Sequence, residues 1–327
     1  MAITAKAVSE LRNSTGAGMM DCKKALQESG GDIDGAMEYL RKKGQKVAAK
    51  RADREANEGV VTSVVDGDRA GLLALSCETD FVAKNESFIE LTETIAKLAM
   101  NSDAKTAADV MELKFDGDKT VAERLTEETG KVGEKIEVAD FQVVQGDNIT
   151  TYIHAGSKIG VVLSYADGGK EGADQFFRGV AMHIAAMKPM ILDPQEFDED
   201  FVAKETEAHR AQIIAENELN ERENLGKAQK NVPDYVSKRQ LTPEVMAAAE
   251  QKIKDELAAE GKPEKIWDKI VPGKMERYIA DNTLLDQERC LLSQFYALDD
   301  TKTVEAAVKD FHPEAKIVEF ARVAVSG

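Results

Sequence analysis

Apolar residues near the start of the chain recur at intervals of three and four, the period of a helix with one buried face. Val8 and Leu11 mark one such face before Gly16-Ala17-Gly18, and Met20, Ala25 and Leu26 mark a second that Gly30-Gly31 closes. Asp32 stands where a third helix needs a cap, its apolar face is Ile33, Ala36, Met37 and Leu40, and Gly44 supplies a stop. The pattern predicts a three-helix bundle over 1–44, followed by a linker over 45–57.

Beyond the linker the pattern changes to short apolar runs divided by turn residues. Val60 to Val65, the turn Asp66-Gly67-Asp68-Arg69, and Leu72 to Leu75 predict a hairpin; Ile149 to Ile153, the turn Ala155-Gly156-Ser157-Lys158, and Val161 to Leu163 predict another. At one constant shift Gly71 falls on Gly160, Phe88 on Phe177, Ile95 on Ile184 and Ala96 on Ala185. Later, Lys119-Thr120-Val121 with a strand from Ile136 to Val144 is echoed by Lys302-Thr303-Val304 with a strand from Ile317 to Val325. Such self-similarity predicts an α+β core made of two copies of a strand–strand–helix–helix–strand unit, over 58–146 and 147–327.

The second copy is interrupted by a charged helical stretch over about 194–262. Its first arm carries Phe201, Ala208, Ile213, Leu219 and Leu225, Asn231-Val232-Pro233 breaks it, and Thr242-Pro243 starts a second arm ending near Gly261. Two arms around a short break predict an antiparallel, coiled-coil-like hairpin with a narrow apolar seam.

Charge narrows the range of partners. With 60 Asp and Glu against 43 Lys and Arg the net charge is −17, which disfavours a nucleic acid or an anionic membrane as the main partner. The one basic stretch, Arg41 to Arg54, reads as a solvated helix or linker more readily than as a nucleic-acid contact. No apolar run is long enough to span a bilayer and Met1 to Glu10 resembles no targeting peptide, so a cytoplasmic setting is expected.

Candidate chemistry is sparse. Cys22, Cys77 and Cys290 form no disulfide framework, and the four histidines show no metal-ligand spacing, so neither a metal nor a cofactor is expected. Phosphate loops, nucleophile elbows and dinucleotide fingerprints are absent from the sequence. Cys22 beside Asp21, Lys23 and Lys24 is the one thiol with a reactive-looking setting, but it also falls beside the apolar helix face. His183 lies in a strongly apolar helix and reads as a buried, hydrogen-bonded histidine.

Cys77-Glu78-Thr79-Asp80-Phe81-Val82-Ala83-Lys84 lies where the first hairpin hands over to a helix. Thr79 or Asp80 could cap that helix with Phe81 as a local apolar staple. The second copy has Asp167-Gly168-Gly169-Lys170 there, so the repeated scaffold does without Thr-Asp-Phe-Val and a function for Phe81 gains weight.

Four segments together resemble the elongation factor Ts family: Leu11-Arg12 with Thr15 to Leu26 and Gly31-Asp32; Thr79-Asp80-Phe81-Val82-Ala83; His183-Ile184-Ala185-Ala186 with Lys188-Pro189; and Gly261-Lys262-Pro263 before Ile266. The resemblance implies a ubiquitin-associated-like N-terminal bundle, a two-part α/β core and a coiled-coil protrusion, although the insertion here is longer than usual for the family. It also implies a translation elongation factor, not an enzyme, that exchanges guanine nucleotide on elongation factor Tu, met in its GDP-bound and nucleotide-free forms. By that resemblance Thr79, Asp80, Phe81 and Val82 carry the element that enters the GTPase near its magnesium site. Met19 and Met20 would dock the bundle, and His154 in the second hairpin turn is a further contact candidate. A protein-binding adaptor and, more remotely, a thiol enzyme are the other classes that the residues leave open.

Overall fold

A computed structural model describes residues 3–326. It resolves into two compact units, one holding the chain to Asp167, 171–185 and the end from Ile317, the other holding 168–170 and 186–316.

The first unit opens with α1 (Ala5–Thr15), α2 (Met19–Glu28) and α3 (Ile33–Arg51). Their small core is Val8, Leu11, Ala17, Cys22, Ala25, Leu26 and Ala36. Gly16 ends α1 in the left-handed region at φ 68°, and the Asp32 side chain caps α3 by accepting the Gly35 N–H. Gly44 does not stop α3, and residues 45–51 are helix where a linker was expected. The reason is tertiary: Gly44 is buried where α3 crosses a later helix, and the absent side chain lets the backbones meet.

There follow β1 (Glu58–Asp66), β2 (Arg69–Cys77), α4 (Asp80–Ala83), α5 (Glu86–Met100), α6 (Ala107–Glu112), β3 (Lys114–Asp116), β4 (Lys119–Thr120), α7 (Val121–Val132) and β5 (Glu137–Gln145). Next come β6 (Asn148–Ile153), β7 (Ile159–Ala166) and α8 (Ala173–Met187). The second unit then supplies α9 (Glu199–Arg222), α10 (Pro243–Ala259), α11 (Trp267–Asp281), α12 (Leu284–Arg289), β8 (Phe295–Tyr296), β9 (Asp299–Thr303) and α13 (Val304–Phe311). The chain ends on β10 (Lys316–Ala324).

Two antiparallel three-stranded sheets result, with orders β1-β2-β5 and β6-β7-β10. In β2, side chains alternate between two buried faces: Leu73 and Leu75 pack with Phe88, Ile95 and Leu125 of the helices, while Leu72 and Ala74 pack with Val162 and Val323 of the other sheet. A strand buried on both faces reads as a continuous apolar run, as Leu72 to Leu75 does.

In the second unit the helix turning back on α10 is α11, which the sequence pattern passed over. Ile253 and Leu257 of α10 meet Trp267, Ile270, Val271 and Met275 of α11, and Glu256 and Lys274 approach to 3.7 Å. The first arm, α9, instead lies along the irregular return segment: Asn217 bonds the Lys230 backbone and Gln240 bonds Thr206. The expected pairing of arms within 194–262 is therefore corrected. The apolar seam of α10 finds its complement after Gly261, in a helix whose Pro272 obscured it in the sequence.

Candidate functional site

The junction after β2 is held from both sides. Glu58 pairs with Cys77 at the end of the hairpin, and Glu78 next to it accepts two bonds from the Arg51 guanidinium at 2.6 and 2.9 Å and one from the Lys135 N–H at 2.7 Å. Thr79 gives its N–H and hydroxyl to the two carboxylate oxygens of Glu134, at 3.0 and 2.8 Å. The side chain of Thr79 therefore makes no cap bond to α4. Asp80 is the first residue of that helix and pairs with Lys84 at 2.6 Å.

Phe81 is 83% exposed. It closes over no core residue, so the capping-and-staple explanation fails at both of its parts. Ala83 is buried and Val82 half-buried against the first-sheet core, and they tie down the other end of α4. The ring faces water on a short, tethered helix and adds little to this protein's own packing.

Charges around the ring are mutually paired. The bond from Lys84 holds the Asp80 carboxyl below its usual range. Burial pushes Glu78 upward, but the Lys135 N–H and Arg51 together bring it net below its ordinary value. Lys158 in the β6–β7 turn pairs with Glu58 at 2.6 Å, and Ser157 in that turn accepts the Val61 N–H. The turn that carries His154 thus meets the hairpin end from which Glu78 and Thr79 leave. His154 is exposed and bonds the Tyr152 hydroxyl at 2.9 Å.

Met19 and Met20 stand apart from that cluster. They open α2 and are 58% and 73% exposed. Their connection to Phe81 runs through α3, which packs with α2 near its start and offers Arg51 to Glu78 at its end.

The alternatives find less support. Cys22 is fully buried with its thiol directed at the Ala17 carbonyl. Burial, with the nearby Glu134 carboxylate, pushes Cys77 up to about 12, and burial pushes Cys290 up to about 11, far from a nucleophile's range. Part of the basic stretch is paired, with Arg41 and Lys42 on Glu38, Lys43 on Asp21 and Arg51 on Glu78. His183 is buried within α8.

Arg51, Glu134 and Lys135 escaped the sequence reading. Each acts on a residue distant along the chain, and only the glycine before Glu134, ending α7 at φ 80°, gave a local sign of a turn.

The fold is a mixed α+β one, and its candidate site is an exposed junction between β2 and α4. A family model described as Elongation factor TS matches residues 78–327, beginning at the Glu78 anchor. The Elongation factor Ts of Rhodopirellula baltica is 75% identical over 324 residues, covering 99% of both chains. That of Flavobacterium johnsoniae is 47% identical over 323 residues, covering 98% of each, and that of Streptococcus suis 47% over 331, covering 99% of this chain and 92% of the relative. The chain belongs to the elongation factor Ts family, and so to the translation elongation factors. Among the described residues no helix is long and apolar enough to cross a membrane.

Proposed function

We propose that the protein is a guanine-nucleotide exchange factor that binds elongation factor Tu carrying GDP and promotes its release in the cytoplasm, without a cofactor of its own. Phe81 is the wedge, Asp80 its charged companion, and Thr79 and Val82 its holders. Met19 and Met20 supply a second docking point, on a bundle of ubiquitin-associated-like type, and His154 a third. The two three-stranded sheets are read as copies of one unit, of which only the first carries the wedge. The observation that carries this reading is the 83% exposure of Phe81 on a junction tethered by Glu78 and Thr79.

A GTPase holds GDP through its phosphate loop, with Mg²⁺ bridging phosphate and protein oxygens. A wedge that displaces this arrangement weakens nucleotide binding, and by linkage nucleotide weakens the factor's binding by the same factor, so that GTP expels it. No bond is made or broken in the step. Stopped-flow release of fluorescent GDP from elongation factor Tu tests it. Loss of an aromatic anchor commonly costs about 2 kcal/mol, or roughly 30-fold in an equilibrium constant. Phe81→Ala is expected to slow release strongly at high Mg²⁺ and to converge with the parent once Mg²⁺ is chelated. Undiminished release by a folded Phe81→Ala variant at high Mg²⁺ removes Phe81 from the mechanism and shifts the burden to the N-terminal bundle and the second-copy contacts, whereas a parent protein that does not accelerate release is an adaptor.

A further inference from the structure

We infer that Glu134 is a positioning residue for Phe81: its carboxylate aims the exposed ring by gripping Thr79, two residues earlier. The inference rests on the exchange reading and adds to it a named part outside the Thr-Asp-Phe-Val motif. A single helical turn is too short to hold its own geometry. α4 is four residues long and begins without a side-chain cap bond, and Phe81 at 83% exposure has little packing to fix its direction. Its aim depends on what flanks it. After it come Val82 and Ala83, packed on the core; before it comes Thr79, whose N–H and hydroxyl both end on Glu134 at 3.0 and 2.8 Å.

Glu134 is itself well placed for this. It follows Gly133, which closes α7 in the left-handed conformation, and the next residue, Lys135, donates its N–H to Glu78 at 2.7 Å. The end of α7 therefore holds both residues that precede Asp80. Fold satisfaction alone does not demand this grip, because Thr79 is only half-buried and water can serve its donors. A fixed ring direction, in contrast, lowers the ordering cost of docking, and pre-organisation of that kind acts on binding and not on the stability of the free protein.

The test is a double-mutant cycle on GDP release from elongation factor Tu at high Mg²⁺, with Phe81→Ala, Glu134→Ala and the pair, each checked by thermal unfolding. Immobilising one side chain is worth about 0.5–1.5 kcal/mol, so Glu134→Ala is expected to slow release on the order of three- to tenfold. The double variant should be no slower than Phe81→Ala alone, because there is no ring left to aim. Glu134→Gln, whose amide can still accept the Thr79 N–H and donate to its hydroxyl, should keep most of the activity. Should Glu134→Ala fail to fold, Thr79→Val removes the hydroxyl donor and is read in the same cycle. Full additivity, undiminished release by Glu134→Ala, or a Gln variant as slow as Ala overturns the inference while leaving the wedge intact. Undiminished release by Phe81→Ala instead removes the wedge and this inference with it, while a parent protein that does not accelerate GDP release defeats the exchange reading itself.

Discussion

Gly130 of α7 leaves no room for a side chain opposite Gly44 of α3. A β-carbon built on Gly130 would stand 2.5 Å from the Gly44 Cα, whereas one built on Gly44 meets the Thr126 carbonyl oxygen at 3.4 Å and the Gly130 Cα at 3.7 Å. The two helices cross backbone to backbone, and the crossing fixes the N-terminal bundle against the first sheet's helices.

Opposite outcomes are expected for two alanine substitutions at this crossing. Gly130→Ala forces one backbone away from the other and should cost about 1–3 kcal/mol, as overpacked sites do. Gly44→Ala fits at ordinary contact distance and removes a glycine from a helix interior, so it should be neutral or stabilising by up to about 1 kcal/mol. Urea unfolding of both variants measures the difference; equal losses at the two positions would show that the helices are not held this closely.

Much of the local structure was legible in the sequence because its signals are local. Asp32 caps α3, Thr242 caps α10 with Pro243 behind it, and the Asp66 to Arg69 turn joins β1 to β2. What was illegible rests on partners far along the chain. Gly44 reads as a stop until Gly130 is seen beside it, and Thr79 reads as a cap until Glu134 takes both its donors. The candidate motif itself stood out through its absence from the second copy, a comparison internal to the chain, while Arg51, Glu134 and Lys135 carried no such mark.

The native thiols should resist alkylation. Cys77 and Cys290 are fully buried with their thiols pushed up to about 12 and about 11, so thiolate is scarce at neutral pH. Iodoacetamide followed by mass analysis is expected to label them only after denaturant is added. Rapid labelling of Cys77 in the folded protein would mean that the junction beneath Phe81 opens readily.

Acidification should loosen the same junction. The folded-state Glu78 carboxyl lies below its ordinary value of 4.5, so its contribution is complete above that pH and is lost as pH falls through the folded value. Glu78→Gln is therefore expected to be less stable than the parent at neutral pH, with the gap narrowing as the solution is acidified. Urea unfolding across the acid range follows it, and a gap that is constant with pH would show that the Glu78 charge contributes nothing.

The part of the second unit expected to be removable is the α10–α11 hairpin, and not the whole stretch over 194–262 that interrupts the second copy in the sequence. Cutting at 194–262 strips Leu285 and Cys290 of Phe197, Val202 and Val236, and Val271 of Ile253 and Leu257. The flanks of the hairpin, by contrast, are already joined: Leu285 donates to the Val236 carbonyl at 3.0 Å, and the Lys238 N–H to Asp286 at 2.6 Å. Replacing 243–281 with a short flexible linker should leave cooperative unfolding intact, since closure depends weakly on loop length. Loss of cooperativity would show that the hairpin is integral to its unit.

Gly168 stands where the repeat read from the sequence would place a counterpart of Thr79, and the His312 ring fills the space that a β-carbon there would need. Its backbone is left-handed at φ 63°, a second obstacle to any other residue. On the repeat read from the sequence, the two copies would differ in a way that a single substitution at 168 does not undo. A threonine at 168 meets the imidazole unless His312 has already changed, and a changed His312 confers no wedge by itself. Both the packing of His312 and the backbone conformation therefore oppose a side chain at position 168.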